Sequence, residues 1–337
     1  MVDSRVVRVT LKDISLKTGY TINTVSRALK NKDDISTQAR ELIQKTAKEM
    51  GYINNSLASS LRSGSTKTIA IIVGDISNPH FAIMVKEIEK SSRKHGYVCL
   101  VINTEENSEL EEQAINSALG KQVDGIIICP VQKSVDNIEY LKRTGIPFVL
   151  LGRRFDRTDF DYVICDDTHG GYLATKHLLD KDHKRILILK APDYISSARE
   201  RLAGYLKAMN EYHIEVDNEL IQEVGVVSGD SRQVIKKVIE EGIQFTAVVA
   251  FNDMMAWEVI YALNRSGYKV PGTIAVVGFD NIQSRFFFPF ALTTIANSKS
   301  KMSKRAVDVL LKKINDPITH TTFNEVIQTQ LIVREST

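Results

Sequence analysis

Paired cysteines are the first thing this 337-residue sequence lacks: Cys99, Cys129 and Cys165 show no recurring spacing and lie in apolar, strand-like runs. Buried, reduced thiols are expected rather than disulfides, and nothing calls for an oxidising compartment. The seven histidines form no metal-spaced cluster, and His80, although it falls near a candidate ligand cleft, reads more readily as a surface or capping residue. Glycine-rich phosphate loop, nucleophile elbow and kinase signature are all missing, so no cofactor, metal or catalytic residue is expected and the chain does not read as an enzyme. The first residues lack an apolar signal region, and no run is long enough to cross a bilayer, which points to a cytoplasmic protein with no membrane partner.

What is present begins with uneven charge. Up to Lys67, twelve Lys and Arg stand against six Asp and Glu, yet the whole chain carries only +3, so the rest is net negative. A basic surplus is often only a solvated face. Here it coincides with a pattern from Val9 to Leu29 that packs two short helices around one sharp turn. Thr10 is placed to cap the first helix, with Asp13 closing the reciprocal cap and Gly19 supplying the left-handed turn residue. Thr21 caps the second, whose Val25, Ala28 and Leu29 recur on one face and leave Ile22, Asn23, Ser26 and Arg27 on the other. Helix-turn-helix pairs also occur in all-α cores, but on a basic module these outward residues suit a DNA groove. An Asn amide pairs with adenine, an Arg forks onto guanine, and an Ile meets a thymine methyl; Thr10, Thr21 and Thr24 complete the DNA-facing set. Ser36 opens a third helix, with Ala39, Leu42, Ile43, Ala47 and Met50 as its inward face, ending at Gly51. Residues 55–62 have too little apolar surface for a stable helix of their own and precede the flexible Ser63–Thr66, so they are expected to order only on a partner.

The order of these pieces, VTLKDIS, TVSRAL, IS..AR, GYI.N and then a short helix-forming segment, resembles the head of the lactose/galactose repressor family of bacterial transcription regulators. The resemblance implies a helix-turn-helix domain over 1–54 and a hinge helix and linker over 55–66. It implies DNA contacts from Asn55 and Ala58 of the hinge, and matches Leu61 to the apolar residue wedged into the minor groove at the operator centre, as kinking by partial unstacking requires. A linker leucine with no such role is the plainer reading of Leu61. The family usually has Pro where Asn54 stands, which makes hinge entry less rigid here.

Beyond the linker, apolar runs over 68–73, 98–102, 125–129 and 148–151, then 185–189, 221–224, 247–250 and 274–277, alternate with amphipathic helical stretches. These read as buried parallel strands of two doubly wound halves, an α/β fold with its ligand cleft between the halves. The resemblance extends through this region, implying the family's two-subdomain, periplasmic-binding-protein-like core over 67–337. Its three crossings fall near 165–167, near Asn297 and near Asn324, giving an N-subdomain of about 67–165 and 297–324 and a C-subdomain of about 166–296 and 325–337, with one last strand from Val326 to Val333. Cleft candidates follow strands: Asp75 and Phe81 after the first, Arg153, Arg201, Asn252 with Asp253 as the helix cap, and Phe279 with Asp280 after the last. By the resemblance, Arg201, Asn252 and Asp280 reach the effector, and a guanidinium, an amide and a carboxylate make a sensible clamp for neighbouring hydroxyls. Taken singly, Asp280 also fits a turn acid, Arg201 a surface ion pair and Asp75 a cap.

After LTTI the family usually continues with Gln-Pro and later a Gly; here Asn297, Ser298 and Ser303 stand there in the basic stretch NSKSKMSKRA, a surface suited to a partner or second subunit. No heptad tail follows the last strand, so a homodimer is expected. The resemblance implies a repressor of a pseudo-palindromic operator, controlled by a sugar-like effector. A corepressor-dependent regulator or an activator remains open, as does, from another class, a solute-binding protein or enzyme on the same core, which the basic head argues against.

Overall fold

A computed structural model describes residues 9–53, 64–226, 229–286, 290–316 and 321–337. The chain divides into two units, Met1–Thr66 and Lys67–Thr337. In the first, α1 (Leu11–Thr18), α2 (Ile22–Leu29) and α3 (Thr37–Glu49) enclose a small core of Ile14, Val25, Ala28, Ile43 and Ala47. Thr10 and Asp13 form the reciprocal cap, and Gly19 ends α1 at φ +76°, its amide bonded to the Ser15 carbonyl. Leu42 departs from expectation: it is exposed, and Thr46 takes its place on the buried face of α3. A three-helix unit this small has apolar partners for only one narrow stripe of each helix.

The second unit contains two six-stranded sheets. One orders β2 (Val98–Asn103), β1 (Thr68–Val73), β3 (Gly125–Ile128), β4 (Phe148–Leu151), β5 (Tyr162–Cys165) and β11 (Asn324–Ile327), all parallel. The other orders β7 (Ile221–Glu223), β6 (Ile186–Lys190), β8 (Ala247–Ala250), β9 (Ala275–Phe279), β10 (Thr293–Ala296) and β12 (Gln330–Ile332), with β12 antiparallel to β10. Strands β5 and β10 go beyond the runs read from sequence. Order reverses at β1/β3 and at β6/β8, so loops diverge at the carboxyl ends of both sheets and open a crevice there.

Helices α4 (Pro79–Arg93), α5 (Ser108–Gly120), α6 (Asp136–Arg143) and α11 (Lys299–Asn315) belong with the first sheet; α7 (Asp167–Leu179), α8 (Ser196–Glu211), α9 (Asp230–Glu240) and α10 (Asp253–Arg265) belong with the second. The chain crosses between halves at Asp166 and at Asn297–Ser298. The third crossing lies later, at Gln328–Thr329, because residues 324–327 still pair with β5. The expected strand from Val326 to Val333 is therefore two short ones, and the first subdomain extends to Ile327 rather than 324. Cys129 and Cys165 are buried free thiols, whereas Cys99, on the edge strand β2, is only half-buried.

Helices α7 and α8 cross with no room for side chains. A Cβ on Gly204 would lie 2.1 Å from the Thr168 carbonyl oxygen, and one on Gly171 2.2 Å from that of Arg201. This contact fixes the helix that carries Arg201. Gly204→Ala should therefore cost about 1–3 kcal/mol by overpacking against backbone, read as a lower thermal midpoint. Gly120→Ala, with nothing within 4 Å of the added carbon, serves as the control and should leave the midpoint unchanged or slightly raised; equal midpoints for the two variants would contradict the close-packing argument.

Candidate functional site

On the head, the face of α2 away from the core carries the residues singled out from sequence. Ile22, Asn23 and Arg27 are exposed, and Thr24 and Ser26 partly so, while Val25 and Ala28 are fully buried. Thr21 caps α2, its hydroxyl accepting from the Thr24 amide at 3.2 Å and meeting the Thr24 hydroxyl at 2.9 Å. The Arg27 guanidinium pairs with Asp34 across the helix end, both half-exposed, an arrangement in water that holds the side chain out at little energetic cost to release. Asn55, Ala58 and Leu61, with the whole expected hinge helix, lie outside the described residues.

In the second unit, the loops at the carboxyl ends of both sheets surround a cavity with about 740 Å³ of atom-free space, part of it open to solvent. Asp75, Phe81, Arg153, Arg201, Asn252 and Asp280 all line it. Phe279 does not: it is buried beneath, its ring 3.5 Å from the Arg201 guanidinium carbon and against Gly170. Phe279 is the last residue of β9 and turns into the core, whereas Asp280, past the strand end at φ +108°, turns toward the cleft. Asn252, not Asp253, caps α10, its Oδ1 accepting from the Met255 amide at 2.8 Å. Asp253 instead turns inward, where its oxygens accept from the Ile282 amide at 2.8 Å and the Thr294 hydroxyl at 2.5 Å.

Each charged group at the cleft has a defined partner. Arg153 forks onto Glu106 at 2.7 and 2.8 Å and donates to the Pro130 carbonyl at 3.0 Å. Arg201 donates from Nε to Asp167 at 2.7 Å and from Nη1 to the Phe251 carbonyl, and lies between the Phe251 and Phe279 rings. Asp280 accepts from Asn297 Nδ2 at 2.9 Å, and His80 Nδ1 from the other subdomain lies 3.0 Å from the same oxygen. Burial opposes the Asp280 charge, but His80, Lys299 and Arg201 outweigh it and hold the carboxyl well below the usual carboxylate range.

Asp280 and Asn281 have φ of +108° and +51°, a conformation that side chains rarely adopt. Strain of roughly 1–3 kcal/mol per residue persists only where the surroundings impose it. Lys299 donates to the Asp280 carbonyl, the Asn281 amide donates to Thr294 Oγ1 at 3.2 Å, and Arg334 donates to Asn281 Oδ1 at 2.6 Å. Across the cleft, the Ser196 amide donates to Gln132 Oε1 at 3.0 Å, and Arg154 pairs with Glu200 at 2.8 Å.

Sequence reading missed Glu106, Gln132 and the cleft role of His80, which is neither a surface nor a merely capping group. The first two also follow strands, β2 and β3, so the rule that found Asp75 would have reached them. His80 lies in the segment after β1 that the same rule placed near the cleft, but its partner Asp280, two hundred residues away in the chain, was not legible. Among the described residues, no group of three or more His, Cys, Asp or Glu is placed to hold a metal ion, and no helix is long and apolar enough to cross a membrane.

Burial, reinforced by the nearby Asp280, pushes the Asp253 carboxyl up to about 7. A carboxyl raised in the folded state stabilises it fully below the ordinary carboxylate range, and that contribution is lost as pH rises toward and through about 7. The stability difference between Asp253→Asn and the parent chain should therefore shift in the variant's favour between pH 4 and 7, followed by denaturant titration. An unchanged difference across that window would show that Asp253 is ionised throughout.

The model of bacterial regulatory proteins of the lacI family matches residues 10–55, and that of periplasmic binding proteins and the sugar-binding domain of the LacI family matches 66–335. The HTH-type transcriptional repressor PurR of Pasteurella multocida (strain Pm70) is 30% identical over 328 residues, covering 97% of this chain and 98% of the relative. PurR of Aliivibrio fischeri (strain MJ11) is 30% identical over 310 residues, covering 91% and 92%. Among solved structures, the Lac repressor dimer bound to operator and the anti-inducer ONPF has a TM-score of 0.86 at 25% identity, covering 98% of this chain and 99% of that one. The transcriptional regulator CelR–cellobiose complex has a TM-score of 0.75 at 25% identity, covering 98% and 100%. With a helix-turn-helix head, a two-sheet core and matches spanning both, the chain belongs to the LacI family of bacterial regulatory proteins.

Proposed function

We propose that this protein is a homodimeric transcriptional repressor of the bacterial cytoplasm that reads a pseudo-palindromic operator and changes its affinity when a sugar-like effector enters the core cleft. The observation that carries this reading is the joining, in one chain, of a basic head with an open α2 face to a core whose cleft presents converging polar groups. A head matched over residues 10–55 separates the chain from a solute-binding protein or an enzyme on the same core. Relatives named as repressors support the sign, and neighbours solved with operator or with cellobiose support the two kinds of partner.

In this reading residues 1–54 form the DNA-binding domain and 55–66 the hinge. Asn23 and Arg27 read base edges, with Ile22, Thr24 and Ser26 beside them, while Thr10 and Thr21 hold the phosphate backbone. Asn55, Ala58 and Leu61 act from the hinge in the minor groove. Asp75, Phe81, Arg153, Arg201, Asn252 and Asp280 face the effector, and Phe279 acts from below by fixing Arg201. The effector favours one angle between the subdomains, and the dimer converts that angle into hinge spacing; only a difference in its affinity for two states is needed.

Asp280→Ala tests the assignment. Removing an acceptor that ligand hydroxyls need in the cleft should weaken effector binding by about 1–3 kcal/mol. Titrating operator binding against an effector found by metabolite screening gives the answer: a variant that keeps the parent midpoint would make Asp280 a turn residue and remove the cleft from the mechanism.

A further inference from the structure

We infer that the cleft is built for an uncharged, hydroxyl-rich ligand and rejects the phosphorylated or carboxylated form of the same molecule. The inference rests on the effector reading for the identity of the site, and on the commitments of the cleft's charged groups for the ligand's class. Two arginines and a lysine line or back the cavity among the described residues, and each is committed. Arg153 is bidentate to Glu106, with both side chains about nine-tenths buried. Arg201 is held by Asp167 and the Phe251 carbonyl between two rings. Lys299 is held by the Asp280 carbonyl and by Asn297 Oδ1 at 2.8 Å. His80, the remaining basic group, has its Nδ1 3.0 Å from Asp280 Oδ1 without the geometry of a hydrogen bond. On the acidic side, Asp75 has no cationic partner among the described residues; its Oδ1 takes the amide and hydroxyl of Ser77 at 2.9 and 2.6 Å.

Helix N-termini are the other source of positive potential, and α4, α8 and α10 all begin at the cleft. In each, one first-turn amide is already engaged by a side chain: His80 on Asn78 Oδ1 at 3.0 Å, Ser196 on Gln132 Oε1 at 3.0 Å and Met255 on Asn252 Oδ1 at 2.8 Å. A phosphate or carboxylate entering this cleft would lose its hydration and meet cations already neutralised, plus one carboxylate of its own sign. Ligand hydroxyls meet the opposite situation, because among the described residues the donors to Asp75 and Asp280 all use Oδ1, which leaves Oδ2 of each to accept from a ligand.

Inorganic phosphate is the direct probe, titrated calorimetrically into the full chain. The parent protein should show no binding. Glu106→Gln releases Arg153 and Asp167→Asn releases Arg201; each variant, once its thermal transition shows it folded, should gain phosphate affinity by about tenfold or more, the worth of one charge-assisted hydrogen bond. Phosphate binding by the parent that disappears in Arg153→Ala would overturn the inference, and so would two folded variants that gain nothing. A second arm compares ribose, glucose and cellobiose with their phosphate esters or acids in the operator-binding assay. An ester or acid that acts more strongly than its neutral partner also overturns the inference. If no member of any pair acts while the phosphate arm behaves as expected, the effector reading falls and the charge assignment stands.

Discussion

The Asp280 carboxylate is buried where the two subdomains meet, and the groups that keep it ionised come from both sides of that meeting. Its backbone belongs to the loop after β9, Asn297 lies on the crossing between sheets, and His80 opens a helix of the opposite half. A buried carboxylate without such partners costs several kcal/mol, far more than any single contact around it returns. Lys299 secures the same loop by its carbonyl, which is why a backbone at φ +108° can persist there. Beneath it Asp253 holds the next turn by the Ile282 amide and prefers its proton, so two neighbouring acids share one site with only one of them charged. Cleft shape, loop conformation and protonation are thus one arrangement.

That arrangement also explains how a small ligand has leverage. At the rim, Arg154–Glu200, Arg199–Asp156 and Arg285–Glu87 join the halves at 2.8–3.0 Å, but each pair is reached by water on at least one side. Such pairs are worth little individually and are screened by salt, so they guide closure without locking it. The interior contacts are costly to leave incomplete. A molecule that satisfies them in one geometry shifts the population of the whole core, while the close α7–α8 contact keeps the helix bearing Arg201 fixed within its own subdomain.

Much of this was legible in the sequence wherever a local rule applied. The capping box at Thr10 and Asp13, the αL glycine at 19 and the buried strands each depend on residues close in the chain, and strand ends pointed to Asp75, Arg201, Asn252 and Asp280. Failures came where tertiary context decides. Leu42 fits the helical period but meets no partner in so small a core. Phe279 and Asp280 are adjacent, and only the end of β9 with the positive φ at Asp280 sends one to the core and the other to the cleft. Residues 324–327 and 330–332 look like one strand until pairing shows two sheets competing for them. His80 lay near the expected cleft, but its contact with Asp280, like the contact of Lys299 with the Asp280 carbonyl, joins residues remote in the chain; within the departure from Gln-Pro, Asn297 and Lys299 support the cleft from within.

The central claim is that the Asp280 arrangement holds the two subdomains together across the cleft. Paired spin labels on exposed positions of the two halves measure that separation directly in the free protein. The account predicts a dominant short distance in the parent chain and a shift to longer, broader distances in Asp280→Ala, with helical content and thermal transition retained. Superimposable distance distributions in the two proteins would contradict it.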